Sequence, residues 1–184
     1  MTQPALLTAE ELSRLALPDK RTELVRGVLV VREPAGYRHG DIAARLLLAI
    51  GSYVVERSLG RVFAAETGFT IARKPDTVRA PDVAFISTAR LPDPPPHGFA
   101  ELAPDLAVEV LSPDDRPAEV LEKVADWLRA GTALVWVVDP VRETTRVYRA
   151  DGTASLLHAD DELEGEDVLA GFRYSLGRLF RGTT

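Results

Sequence analysis

The chain contains no cysteine, which excludes disulfides, thiolate metal ligands and a cysteine nucleophile and fits a reducing compartment. Its histidines, His39, His97 and His158, show no His-x-x-x-His spacing, so a zinc site is not expected. No glycine-rich phosphate loop and no Gly-x-Ser-x-Gly elbow is present, which sets aside nucleotide hydrolases and serine hydrolases. No apolar run approaches ~18 residues, and residues 1–7 lack the basic flank and apolar stretch of a signal peptide. A soluble cytoplasmic protein is the expectation. Lysine is scarce as well: Lys20, Lys74 and Lys123 stand against nineteen arginines, so an ordinary surface cation in this chain is usually Arg.

What is present fits one domain over residues 1–184, since 46% of the chain is hydrophobic and no polar linker or repeat divides it. The net charge of −6 argues against a constitutive nucleic-acid coat protein, because Lys and Arg must neutralise phosphates in such binding. The acidic excess is largely C-terminal, and the acidic run at 160–167 reads as a solvated turn.

Thr8-Ala-Glu-Glu11 is a capping box that opens a short helix to about Ala16, closed by Pro18. Residues 23–32 read as one or two strands around Gly27, and apolar residues at three- and four-residue steps predict a helix from Gly40 to about Leu59. Strands are expected at 61–66, 68–72, 82–86, 105–111 and 133–138, with a helix over 117–130 and a hairpin around Asp151-Gly152. The proline-rich stretch 92–98 is a loop. Strand, helix, strand from 105 to 138 is a βαβ unit, which predicts an α/β (α+β) fold with a mixed sheet and flanking helices.

Two acidic residues stand where strand patterning calls for apolar ones: Asp82 in Ala80-Pro-Asp-Val-Ala-Phe-Ile86 and Glu109 in Asp105-Leu-Ala-Val-Glu-Val-Leu111. An ionised carboxylate in a strand covered on both faces costs several kcal/mol unless something compensates it. Two of them suggest a shared cation. Glu109 lies two residues before its strand ends, roughly 7 Å deep, and Lys123 lies six residues into the next helix, roughly 9 Å back. Their depths match, so the Lys123 ammonium can meet Glu109. The plainer alternative is an exposed i−4 pair of Lys123 with Glu119.

At these residues the chain resembles a family. Glu23-Leu-Val-Arg-Gly27, the 80–86 and 105–113 runs, Lys123 with Trp127 and Gly131, and Val135-Trp-Val-Val-Asp-Pro140 are similar, in order, to motifs of the Uma-two family, restriction endonuclease-like proteins of the PD-(D/E)XK superfamily. The motifs are specific as a set and weak singly, since Pro-Asp occurs six times. The resemblance implies a restriction endonuclease-like mixed-sheet core and hydrolysis of DNA phosphodiester bonds. It also implies that Asp82, Glu109 and the Val110 carbonyl hold Mg²⁺ (or Mn²⁺) and that Lys123 orients a water or offsets phosphate charge. Glu23 is a second candidate, for a second metal or its water shell. The superfamily lysine normally stands two residues after the second acidic ligand, where this chain has Leu111, and the resemblance implies its migration to Lys123.

The catalytic trio is expected in a cleft at one edge of the sheet. A homodimer is expected because two-fold symmetry mirrors a duplex. His39 can approach the site from the start of its helix, though a surface position is the expectation; Asp114 and Asp115 are expected at a helix N-terminus, and Trp127 and Trp136 as core or interface aromatics. Two functional classes follow: a metal-dependent DNA endonuclease, and an inactive nuclease-fold homodimer serving as a binding or scaffold module.

Overall fold

The computed structural model describes residues 6–181 apart from Ala16 and Asp19. Thr8 caps helix α1 (Ala9–Arg14) with the expected box, its side chain accepting from the Glu11 amide. The expected end at Ala16 lies outside the described residues.

A hairpin follows, β1 (Arg21–Val25) and β2 (Val28–Arg32). Its turn needs positive φ at both Arg26 (49°) and Gly27 (78°), and a Cβ at Gly27 would stand 2.7 Å from the Leu6 Cβ. Helix α2 (Tyr37–Arg57) starts one turn earlier than the apolar periodicity indicates, and it buries Ile42, Leu46, Ile50 and Val54. Strands β3 (Gly60–Ala64), β4 (Phe69–Ala72), β5 (Thr77–Arg79) and β6 (Val83–Ser87) come next. Three-residue β5 is too short to leave a hydrophobic pattern, and sequence reasoning missed it.

The βαβ unit is β7 (Leu106–Val110), α3 (Pro117–Arg129) and β8 (Leu134–Asp139). Strands β9 (Thr144–Arg149) and β10 (Ala154–His158) form the hairpin read around Asp151-Gly152. The chain closes with β11 (Glu162–Glu164), β12 (Arg173–Ser175) and α4 (Leu176–Arg181). The acidic run is therefore more than a solvated turn: Glu162 and Glu164 point outward from a paired strand while Leu163 between them is fully buried.

Two sheets meet. The larger has the order β10-β9-β8-β7-β6-β3 and is antiparallel except for the parallel β7–β8 pair that the α3 crossover requires. The smaller has the order β2-β1-β5-β4. One face of the large sheet, with Val83, Leu106, Val108 and Trp136, packs on α2 and the C-terminal residues Phe172, Leu176 and Leu179. The other face, with Ala84, Ala107, Val135 and Val137, packs on Val124 and Trp127 of α3. Both faces of the central strands are thus covered, so ionised groups on them must find partners inside the protein.

Candidate active site

In the β6–β7 ladder Val83 faces Val108 and Ala84 faces Ala107. Asp82 immediately precedes β6, and its amide also donates to the Val108 carbonyl, at 2.9 Å, so Asp82 and Val83 both stand against Val108 as at a bulge. Alternation puts Glu109 on the α3 face with Ala107, and Asp82 lies beside it at the start of the neighbouring strand. Both are buried, at 7% exposure. The Val110 amide donates to Asp82 Oδ2 at 2.7 Å and fixes that carboxylate.

Lys123 arrives from α3 as the depth estimate requires. Its Nζ lies 2.8 Å from Glu109 Oε2, 2.9 Å from Glu23 Oε1 and 3.1 Å from the Ala80 carbonyl. The i−4 pair with Glu119 does not form; Glu119 faces Arg32 at 3.1 Å instead. One turn on, Trp127 Nε1 donates to Glu109 Oε1 at 2.8 Å. Trp127 is fully buried, as a core aromatic should be, yet its N–H belongs to the site. The i,i+4 spacing of Lys123 and Trp127 on a face looking at Glu109 is the signal that could have revealed it. Trp136 is core alone, stacked 6.0 Å from Phe172.

Glu23 joins this cluster from β1. It is held by Arg79 of β5 at 3.0 Å and by the Ala80 amide at 2.9 Å, and Arg79 in turn grips Asp126 of α3 at 2.6 Å. Because β5 escaped the sequence reading, so did Arg79. His39 is a correction of a different kind. The early start of α2 carries it inward to 7% exposure, with Nε2 3.2 Å from Asp82 Oδ2, so it is no surface histidine. Asp115 also differs from expectation. It precedes α3, takes the Ser112 amide at 2.7 Å and lies 3.7 Å from Arg32.

The site therefore joins Asp82, Glu109, Lys123 and Glu23 at the ends of the central strands, under the small sheet, and not at an edge of the large one. They line an open cleft of about 160 Å³. Six carboxylates line it against four Lys and Arg side chains, so the cleft is short of positive charge.

Burial raises the Glu109 carboxyl to about 7; the Lys123 charge opposes that, while Asp82 and Glu23 reinforce it. Burial works the same way on Glu23, but Lys123, Arg79 and the Ala80 amide outweigh it and hold that carboxyl down to about 2. Asp82 is also lowered: burial opposes ionisation, and the contacts with His39, Lys123 and the Val110 amide prevail. Lys123 is raised above the usual lysine range, since Glu109, Glu23 and Asp82 more than offset its burial.

Trp127→Phe is expected to lower stability by roughly 1–3 kcal/mol, the cost of leaving a buried acceptor without its donor. The loss should be larger at pH 8 than at pH 5.5, because the indole N–H favours the ionised form of Glu109. Equal losses at both pH values in thermal melts would contradict this.

Comparison with known proteins adds the family. Among curated proteins none matches the chain. A similar solved structure is a "putative nuclease belonging to DUF820" from Anabaena variabilis ATCC 29413, with a TM-score of 0.83 at 24% identity over 95% of this chain and 98% of that one. At that identity the likeness establishes the fold, which is restriction endonuclease-like and mixed α+β. The model of a family described as "Putative restriction endonuclease" matches residues 9–177, and with the motifs and fold in agreement, the chain belongs to the Uma2 family.

Proposed function

We propose that the chain is a metal-dependent endonuclease that hydrolyses DNA phosphodiester bonds, working as one domain and as a cytoplasmic homodimer. One observation carries this reading: two buried carboxylates, Asp82 just before β6 and Glu109 on the neighbouring strand β7, lie side by side, with the Lys123 ammonium 2.8 Å from the second. A purely structural core gains nothing by burying such a pair where apolar side chains would serve.

The donors fit a hard divalent ion such as Mg²⁺ or Mn²⁺, which prefers oxygen ligands and keeps several waters. Among the described residues no three His, Cys, Asp or Glu side chains form a preassembled metal cage. Asp82, Glu109 and the Val110 carbonyl would supply the protein ligands, with water and phosphate as the rest. Bound there, the ion would polarise the phosphodiester and lower the pKa of an attacking water. Trp127 keeps Glu109 oriented, and the Val110 amide does the same for Asp82. Lys123 supplies an ammonium beside the place where phosphate charge develops, in place of the lysine that Leu111 displaces. Glu23 anchors Lys123 and is the candidate for a second ion's water shell.

A competing reading, an inactive nuclease-fold scaffold, draws on the fact that Lys123 already pairs with two carboxylates. Cleavage assays on mixed single- and double-stranded DNA with Mg²⁺ or Mn²⁺ decide between them. Wild type should cut and Asp82→Ala should lose at least about 10²-fold in rate, the scale of a lost electrostatic contribution; equal residual activity in both would reject the assignment. Light scattering at high micromolar concentration tests the dimer.

A further inference from the structure

Among the described residues Arg21 is the least satisfied cation of the cleft. Strand alternation puts it on the same face of β1 as Glu23, and its side chain, 26% exposed, lines the cleft beside Asp82. Its Nη1 lies 3.4 Å from Asp82 Oδ1, too long for a good hydrogen bond, and its Nε is buried with no partner among the described residues. The other cleft cations are better served. Lys20 holds both oxygens of Glu33, Arg32 lies between Glu119 and Asp115, and Lys123 bridges Glu23 and Glu109.

Burying guanidinium donors without acceptors costs free energy, so this arrangement has room for a further anion. The two oxygens of Asp82 are also used unequally. Oδ2 takes the Val110 amide and lies 3.2 Å from His39 Nε2, whereas among the described residues Oδ1 has only the long contact to Arg21. Arg21 Nη1 therefore lies beside the oxygen of Asp82 that has the fewer partners among the described residues. A planar fork suits two oxygens of a tetrahedral phosphate better than an ammonium does.

We infer that Arg21 is a phosphate-binding residue of this site, its guanidinium holding the non-bridging oxygens of the phosphodiester that is cut. This rests on the nuclease reading above. Asp82 then serves as a temporary neighbour for Arg21, and the phosphate is its proper partner. A structural ion pair would need the shorter, aligned contact that Arg79 makes with Asp126.

The test compares wild type, Arg21→Ala and Arg21→Lys in steady-state cleavage of a labelled DNA oligonucleotide with Mn²⁺. Mn²⁺ titration calorimetry without DNA and metal-free thermal melts accompany it. Arg21→Ala should lose about 10²-fold in kcat/KM and Arg21→Lys about 10-fold, while Mn²⁺ affinity stays within about threefold of wild type or tightens. Full activity in Arg21→Ala, with wild type active, overturns the inference and leaves the nuclease reading intact. Lost Mn²⁺ binding in Arg21→Ala, with activity restored by Arg21→Lys, overturns it in favour of a role in positioning Asp82. If Arg21→Ala does not fold, wild-type activity in Arg21→Lys suffices to reject it. A wild type that binds Mn²⁺ but cuts no DNA rejects both readings.

Discussion

Glu109→Gln is expected to abolish metal-dependent cleavage while leaving the metal-free protein as stable as wild type, or more so, above pH 7. The carboxyl is raised to about 7 by burial and by Asp82 and Glu23, against the opposing pull of Lys123. Between its ordinary value of 4.5 and about 7 the folded state therefore holds a proton that the unfolded chain has released. The stability contributed by the protonated form is complete below pH 4.5 and is lost as pH rises through 7. Gln keeps the neutral shape and cannot ionise, so it should flatten that part of the pH–stability curve. Saturating Mg²⁺ should flatten it in wild type for another reason, because metal ligation favours the carboxylate. Melts at pH 5, 6, 7 and 8, with and without Mg²⁺, check this. Identical pH slopes in mutant and wild type, or a mutant much less stable at pH 8, would refute it.

Lys123→Ala should have the larger effect on stability. The ammonium meets Glu109, Glu23 and the Ala80 carbonyl at once, so its removal strands two buried carboxylates. Breaking a buried pair in this way costs roughly 3–5 kcal/mol, which in a chain of this size lowers Tm by on the order of 10 °C. The loss should shrink at pH 5, where Glu109, relieved of the Lys123 charge that favours ionisation, takes up a proton. Mg²⁺ should recover part of it by supplying positive charge between Asp82 and Glu109. Cleavage should fall by about 10²-fold or more even where the protein remains folded. Lys123→Arg should not rescue activity, since a guanidinium is broader than the ammonium it replaces and carries a different donor geometry. A Lys123→Ala protein with unchanged Tm and full activity would show that Glu23 and Glu109 manage without it and would remove Lys123 from the site.

Both predictions start from residues legible in the sequence. Asp82 and Glu109 stood out because charged residues interrupted apolar strand runs, and Lys123 stood out because lysine is rare and its helical depth matched. The mixed sheet followed from the βαβ pattern over 105–138, and the element order from capping, glycine and proline signals. Periodicity reports which face of an element is apolar, and these elements are long enough to show it.

Tertiary structure decided the rest. Residues far apart in sequence become neighbours only when sheets pack, and nothing local marks them. Arg79 sits on a three-residue strand with no pattern of its own, yet it ties Glu23 to Asp126 across two elements. His39 looked like a surface residue until the first turn of α2 turned it toward Asp82. Trp127 looked like core, and is core, but its single N–H faces Glu109. Arg21 was one arginine among nineteen, and only the small sheet closing over the strand ends brings it beside Asp82. The sequence alone determined the longer elements and which carboxylates have no apolar excuse. The packing of two sheets against α3 decided which charges meet, because Coulomb and hydrogen-bond energies depend on distances of a few ångströms that no linear spacing encodes.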